Sequence, residues 1–396
     1  MIKDFFIYLI YTCFVMYGWQ ASLLGGVWPK MSEDIGVGVT LIGILTMINY
    51  ISSGISSFAT YKIRMKLGTS RSNVLGLMFS AISMLILANA TSFIAIVIAT
   101  IFLGASAGII DVNSNSYVVK AYETKWVSFM HACWGLGATI GPMVMSFALV
   151  YLKNYRIGFY ITFVIMVIVS SLMLFAKKYW DNKKKSIDQD YVELHSVSEA
   201  EKEANVGFAD ILKIKNALKI LICFTLANGA GCSLSAWIAT MATEQRGIAV
   251  AEAAIASSTF FFALMIGRIV FGMLADKIGI AKTLLICMTI TLVSVICYCI
   301  PYKSLPIVYI NSAVAGFGSG ALIPLLNANL KELFDTKYLS PLISFGGVFG
   351  LGGIAVGSAI MTLVANAVGI AHVQIVQIVC FAILLLLYGS VVKNKS

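Results

Sequence analysis

The sequence has 396 residues, of which 59% are hydrophobic and only 12% are charged, and its formal net charge is +10. Soluble domains are about a quarter charged, so this composition excludes an ordinary water-soluble protein and indicates an integral membrane protein. The basic residues concentrate in short segments between apolar runs, where they are expected to meet lipid head groups, and nucleic-acid binding is not predicted.

Apolar runs long enough to cross a bilayer recur along the whole chain. A transmembrane helix needs roughly 20 apolar residues, whereas the strands of a membrane barrel alternate over about 10 residues. The continuous runs therefore predict an all-α membrane protein. The first run continues from Phe5 without a cleavage site, so it is interpreted as a retained span. The twelve predicted spans are 5–30, 38–62, 72–90, 92–119, 127–152, 157–176, 217–243, 252–275, 282–302, 305–333, 340–367 and 371–392.

The distribution of Lys and Arg predicts the orientation of these spans. The loops between spans 2 and 3, 4 and 5, 8 and 9, and 10 and 11 are basic, and positive residues concentrate on the cytoplasmic side. An even number of spans returns both termini to one side. We therefore predict cytoplasmic termini in a bacterial inner membrane. The opposite loops hold only Lys30, Lys153, Arg156, Arg246 and Lys303.

One long polar segment divides the chain. Residues 177–216 begin with a lysine-rich stretch and continue with an acidic one, which predicts a cytoplasmic linker between an N-terminal bundle, 1–176, and a C-terminal bundle, 217–396. Part of the linker, 206–215, is predicted to form a short amphipathic helix at the membrane interface.

The two halves resemble one another within spans 4 and 10. In GASAGIIDVNSN, the residues Gly104, Gly108 and Asn115 align with Gly316, Gly320 and Asn327 of GFGSGALIPLLN. Such a duplication predicts two six-helix pseudo-repeat bundles with a binding site near the bilayer midplane, the arrangement of a protein that exposes one site to alternating sides.

Span 4 carries a carboxylate, Asp111, inside an otherwise apolar run. Asn115 follows one helical turn later, and Gly104 and Gly108 lie on the same helical face. An ionisable group at membrane depth indicates a functional site. Its alternative role is to fix helix packing through hydrogen bonds.

His131, near the start of span 5, is predicted to lie at a depth similar to that of Asp111. A carboxylate–imidazole pair of this kind is suited to exchanging a proton near physiological pH. The alternative is that His131 is a packing residue with satisfied hydrogen bonds.

The junction of spans 8 and 9 reads GRIVFGMLADKIGIAK, and this motif resembles the signature of the major facilitator superfamily. The resemblance implies that superfamily's twelve-helix fold. The motif's glycines allow close helix approach, and its charges are suited to locking one state of a gate. The matching loop of the first half has Met65 where the motif has an aspartate. The gating residues are Gly267, Arg268, Gly272, Asp276, Gly279 and Lys282.

Spans 4 and 5 carry a closer resemblance. The pair Asp111 and Asn115, followed by HACWGLGA from His131, is similar to the fucose–proton symporter branch and to the sodium-dependent glucose transporter-like proteins. This resemblance implies ion-driven uptake of a neutral sugar, with Asp111 matching the branch's acid. The branch's acidic residue in span 1 has no match here, where the region reads GWQASLLGG and Gln20 is its polar group. In contrast, Gly137 to Pro142, GATIGP, resembles the core of the drug-antiporter signature, which motivates efflux as the alternative. The trailing glycine pair of that signature is missing here, and bending and close packing of the helix explain these residues without any direction of transport.

Polar and aromatic residues inside the spans are candidate contacts for a solute, because amides bond hydroxyl groups and aromatic faces cover sugar rings. They are Gln20, Asn49, Asn115, Trp134, Asn228 and Asn327. The alternative for each is a hydrogen bond between helices.

The expected function is secondary active transport of a small neutral solute with a proton, or less readily sodium, by a monomer in the lipid bilayer. Proton-coupled efflux of amphipathic compounds and a non-transporting receptor or scaffold remain alternatives. Neither a catalytic constellation nor a phosphate-binding loop is present in the sequence, and no enzyme activity, cofactor or metal is predicted.

Overall fold

The computed structural model describes residues 2–121, 124–175 and 208–393. Most of the predicted linker, 177–207, lies outside the described residues, and the predicted interfacial helix is represented by one short helix of five residues. Two 3₁₀ helices cover Val39–Leu41 and Ile370–His372. The α-helices are α1 Ile2–Ile35, α2 Ile42–Asn89, α3 Phe93–Ala121, α4 Thr124–Val150, α5 Tyr155–Phe175, α6 Phe208–Leu212, α7 Ala217–Arg246, α8 Val250–Ile278, α9 Ile280–Cys297, α10 Leu305–Gly320, α11 Leu322–Leu333, α12 Thr336–Val368 and α13 Val373–Lys393.

The described part of the chain contains twelve helical segments that are long and apolar enough to cross a membrane, and it contains no β-strand. The predicted all-α, twelve-span class is confirmed. Predicted spans 2 and 3 belong to one long helix, α2, that is interrupted at Gly68, where φ is 78° and ψ is 169°. A residue with a Cβ would be strained in this conformation, so glycine permits the turn between the two spans.

The tenth predicted span, 305–333, is not one continuous helix. The structure divides it into α10 and α11 at Ala321. Pro324 explains the break, because proline has no backbone N–H to donate to the carbonyl four residues earlier, which is that of Gly320. The predicted span 305–333 is confirmed by length and composition, and the break within it is an additional feature that the prediction did not include.

The contacts divide the chain into two compact units. The first contains Met1–Val39, Ile48–Ser196 and Val250–Ser258, and the second contains Thr40–Met47, Val197–Ala249 and Thr259–Ser396. Within the first unit, α1 packs mainly on α4, and within the second, α7 packs mainly on α12. The two helix pairs occupy equivalent places in the two halves of the sequence, as the predicted duplication requires.

Glycines allow both of these helix pairs to approach closely. A Cβ added to Gly137 of α4 would collide with the carbonyl group of Val15 in α1. In the second unit, a Cβ added to Gly353 of α12 would collide with the carbonyl group of Thr225 in α7. Packing between membrane helices depends on such close contact, because lipid tails are as apolar as the side chains.

Candidate functional site

Asp111 and Asn115 form a hydrogen-bonded pair on α3. The side-chain amide of Asn115 donates to Oδ1 of Asp111 at 2.9 Å and to the Asp111 backbone carbonyl at 3.0 Å. Both side chains are half-buried and lie within the membrane span Phe93–Val118. A carboxylate has several acceptor positions, so one amide donor leaves Asp111 with the capacity to bind a proton or a further donor.

The glycine face of α3 packs against α2 in the first unit. A Cβ added to Gly104 would meet the backbone carbonyl of Asn49, and one added to Gly108 would meet that of Ser53. The small residues therefore bring α2 close to the helix that carries Asp111. Asn49, a predicted solute contact, is half-buried at this crossing.

Gln20 connects α1 to α3. Its side chain is only 1% exposed and exchanges hydrogen bonds with Ser106, with 3.3 Å between the heavy atoms in each direction. Ser106 lies five residues before Asp111 on the same helix. In the described arrangement Gln20 thus links two helices, and its proposed contact with a solute stays a prediction.

His131 and Trp134 lie on α4 and pack against aromatic residues of α1. The His131 ring meets Phe14 edge-on, with 5.6 Å between ring centroids. Trp134 meets Tyr17 in a similar manner at 6.2 Å. These contacts position both residues in the first unit, while the predicted proton-exchanging pair of His131 with Asp111 stays a prediction.

The polar residues of the second unit differ from those of the first. Asn228 on α7 donates to the Phe224 carbonyl at 3.2 Å, and its amide lies against Gly350 of α12. Asn327 on α11 is the counterpart of Asn115, but Ile323 stands where Asp111 would be. The buried Oδ1 of Asn327 has no hydrogen-bond partner among the described residues, so it can accept a hydrogen bond from a bound solute.

The gating motif has two structurally distinct parts. Gly267 packs against the Phe317 carbonyl of α10, and Nε of Arg268 donates to the Gly320 carbonyl at 3.0 Å. This is the carbonyl that Pro324 leaves without a helical donor. Arg268, at membrane depth, therefore provides the hydrogen bond that this carbonyl would otherwise lack at the break between α10 and α11. Sequence reasoning missed this interaction, although Pro324 within an apolar run signals it.

The second part of the motif lies at the end of α8. Asp276 and Lys282 are exposed, and Gly279, with φ of 91°, forms the turn into α9. A Cβ added to Gly272 would contact no neighbouring helix among the described residues. The expected charge lock at these residues stays a prediction. Within the described residues, no group of three His, Cys, Asp or Glu side chains is arranged to hold a metal ion.

These features define a class of protein. Twelve membrane spans in two internally similar halves, a carboxylate inside a span and helices interrupted by glycine and proline are characteristic of membrane transporters. A family model described as Major Facilitator Superfamily matches residues 10–245 and again 220–395. The chain belongs to the Major Facilitator Superfamily, and it is a multi-pass membrane transporter of that type.

Individual relatives are distant. The chain is 21% identical over 351 residues to the fosmidomycin resistance protein of Escherichia coli strain K12, an alignment that covers 87% of this chain and 82% of the relative. It is similar in fold to the crystal structure of the nucleoside transporter NupG, with a TM-score of 0.74, 14% identity and 99% coverage of both chains. A POT family transporter in complex with 5-aminolevulinic acid gives the same TM-score and identity and covers 100% of this chain and 96% of that one.

Proposed function

We propose that the chain is a proton-coupled secondary transporter that exports a small polar compound, with Asp111 as the residue that carries the coupling proton. The observation on which this proposal depends is the Asp111–Asn115 pair within α3. A carboxylate at membrane depth is costly, and one neutral amide donor does not balance its charge. Binding a proton removes that charge and allows the protein to change state with the site neutral.

The energetics favour such coupling. One elementary charge that crosses 100 mV contributes roughly 2.3 kcal/mol, and each unit of pH difference adds about 1.4 kcal/mol. Together these terms support a solute gradient of several hundredfold. A transporter that moves one proton for each solute molecule therefore needs no nucleotide.

The solute is proposed to bind through amide side chains that lie inside the membrane spans. Asn49 and Gln20 lie on the helices that pack against α3, and Asn327 offers an unpaired acceptor. Asn228 and Trp134 complete the proposed set. Amides donate and accept hydrogen bonds without introducing charge, so this set is suited to the hydrogen-bonding groups of a small polar compound.

The direction of transport is proposed from similarity. The relative that aligns over 87% of the chain is named for resistance to fosmidomycin, which favours export of a small molecule. The resemblance of the GATIGP segment to the drug-antiporter core motivates the same direction, although its Gly141 also has a packing role, because it brings α4 against the Trp19 carbonyl of α1.

Uptake of a neutral sugar is the second candidate. It is favoured by the resemblance of the stretch from Asp111 to Ala138 to the fucose–proton symporter branch. Asp111 serves as the coupling acid in both candidates, with sodium as the alternative ion. The two candidates therefore differ in solute and direction, while the coupling residue is shared.

The coupling role can be tested with purified protein in proteoliposomes that contain a pH-sensitive dye. Fosmidomycin, D-glucose and L-fucose are added separately, and solute-driven proton movement is recorded. We expect one class of compound to drive proton movement in the wild type, and Asp111→Asn to reduce it at least tenfold. Glu252→Gln, which removes an exposed carboxylate at the start of α8, should behave as the wild type.

The outcomes separate the proposals. Wild-type proton movement in Asp111→Asn would reject the role of Asp111. A response to fosmidomycin, with lower accumulation in cells that express the chain, supports export, whereas a response to a sugar with higher accumulation supports uptake. Binding of a compound without any flux would instead favour the receptor or scaffold interpretation.

A further inference from the structure

A second candidate site lies in the second unit and contains none of the candidate site residues discussed so far. A pocket of about 450 Å³ is formed where α7 and α9 end and where the chain turns from α12 into α13. Its walls include Gln245, Arg246, Tyr298 and Ile370, and the rim residues Ile300 and Ala371 are exposed. The pocket is therefore accessible and has one buried cation in its wall.

Arg246 is held rigidly at this position. Its side chain is 3% exposed, and Nη2 donates to the Tyr298 carbonyl at 2.6 Å. Nη1 donates to Oε1 of Gln245 at 2.7 Å and to the Met241 carbonyl at 3.4 Å. The guanidinium carbon lies 5.2 Å from the ring centroid of Tyr298 and 4.5 Å from that of Tyr302.

These contacts do not use every N–H donor of Arg246. A guanidinium has five N–H donors, and three hydrogen bonds leave one donor on Nη2 and the one on Nε. The buried Nε has no partner among the described residues. Adjacent donors on a guanidinium match the two oxygens of a carboxylate or phosphoryl group.

Among the described residues, the charge of Arg246 has no bonded counter-charge. Its described partners are carbonyl oxygens, one amide and two aromatic rings, which stabilise a cation only in part. Glu244 lines the pocket but is exposed, and it forms no described ion pair with Arg246. A buried cation without an anion is costly, so a bound anion would lower the free energy of this region.

The surrounding amides preorganise the pocket. Gln374 is fully buried and donates to Oε1 of Gln245 at 2.8 Å, and Gln245 donates to the Ile370 carbonyl at 2.7 Å. This network fixes Gln245 next to Arg246, with its oxygen bound and its amide directed to the turn before α13. Little reorganisation would be needed when a ligand binds.

The first unit contains a comparison residue. Arg156 donates to the carbonyls of Ala88 and Ala90 at the end of α2, both at 2.9 Å, so it caps a helix as Arg246 does. It is only half-buried and has a single described ring contact, to Tyr155 at 5.7 Å. Capping a helix end therefore does not require the burial or the two-ring enclosure found at Arg246.

We propose that the Arg246 pocket binds a small oxyanion, a carboxylate or phosphoryl group, through Nε and Nη2. In the predicted orientation the pocket opens on the outer face of the membrane. The same chemistry is offered by a free anion and by the head group of an anionic lipid. Binding at this site is distinct from the proposed coupling by Asp111.

The proposal can be tested by thermal unfolding of the purified protein in neutral detergent. Inorganic phosphate and acetate are titrated against chloride at constant ionic strength. We expect a saturable rise in Tm of about 3–5 °C with at least one oxyanion. Arg246→Gln should abolish the rise, and the matched control Arg156→Gln should retain it.

A second variant and a lipid comparison complete the test. Ala371→Trp fills the rim of the pocket without removing the contacts of Arg246, so it should also abolish the rise in Tm. If Arg246→Gln does not fold, Ala371→Trp alone tests whether the oxyanion binds in this pocket. The Tm is also compared between nanodiscs of phosphatidylglycerol and nanodiscs of phosphatidylcholine. If free anions have no effect and phosphatidylglycerol raises the Tm only when Arg246 is present, the ligand is a lipid head group. A response that persists in Ala371→Trp, or no response to either free anions or anionic lipid, would overturn the proposal.

Discussion

At the residue scale, the geometry of Asp111 could be predicted because it depends on local structure. Residues four apart on a helix face the same side, and the bond from Asn115 to Oδ1 of Asp111 has the expected geometry. The environment of His131 could not be predicted in this way. Its edge-on contact with Phe14 depends on how α4 packs against α1, which spacing along one helix does not determine.

Asn115→Leu tests whether Asn115 stabilises the coupling carboxyl. Removing the amide leaves Asp111 without the donor that holds it, which should cost about 1–3 kcal/mol in the free energy of unfolding. The measurement is chemical unfolding in detergent. In an Asp111→Leu background, the same substitution should cost clearly less, because the carboxylate partner is gone and only the backbone carbonyl of residue 111 still accepts from Asn115. Equal costs in both backgrounds would show that the loss of stability in Asn115→Leu does not come from its hydrogen bond to the Asp111 side chain.

At the element scale, the division of span 10 shows where sequence reasoning stops. Pro324 indicates that one carbonyl loses its donor, but membrane helices often retain their course through a proline. Which group replaces the lost donor depends on tertiary packing. Here it is Arg268 of α8, a residue 52 positions away from Gly320.

This explanation predicts a rescue between Arg268 and Pro324. Arg268→Leu leaves the Gly320 carbonyl unpaired and should destabilise the protein by about 1–3 kcal/mol. Pro324→Ala introduces an amide at position 324 that can bond the same carbonyl, so it should recover at least half of that loss in the double variant. Thermal unfolding of the four proteins measures the coupling. Additive effects would contradict the assigned pairing.

Close packing of α2 on α3 gives a matched glycine test. Gly108→Ala places a methyl group against the Ser53 carbonyl and should cost about 1–3 kcal/mol, as overpacking does. Gly54→Ala in α2 has open space around it and should be neutral or stabilise by up to about 1 kcal/mol. Unfolding midpoints of the two variants provide the measurement, and similar midpoints would contradict the close packing at Gly108.

At the scale of the whole molecule, hydropathy predicted the number of spans, since length and composition alone determine it. The compact units could not be predicted from the chain order. Residues 40–47 group with the second unit and residues 250–258 with the first. This grouping depends on tertiary contacts, which the order of the elements along the chain does not determine. Arg246 shows a similar limit: it was assigned to a loop, but it is the buried last residue of α7.

The predicted orientation is testable with reporter fusions in a bacterial host. Because basic loops remain in the cytoplasm, a fluorescent protein fused after Ser396 should fluoresce, and alkaline phosphatase at the same point should be inactive. Alkaline phosphatase inserted into the turn 151–154 between α4 and α5 should be active. The reverse pattern would place the termini outside the cytoplasm and the Arg246 pocket on the cytoplasmic side.

The measurement that tests the central claim most directly compares two transport modes of Asp111→Asn in proteoliposomes. One is accumulation of the transported compound driven by a pH gradient, and the other is exchange of that compound without a gradient. If Asp111 carries the coupling proton, driven accumulation should fall at least tenfold, while exchange remains within about threefold of the wild type, since a neutral amide imitates the protonated acid. Retained accumulation, or an equal loss of both modes in a folded protein, would contradict the proposed role.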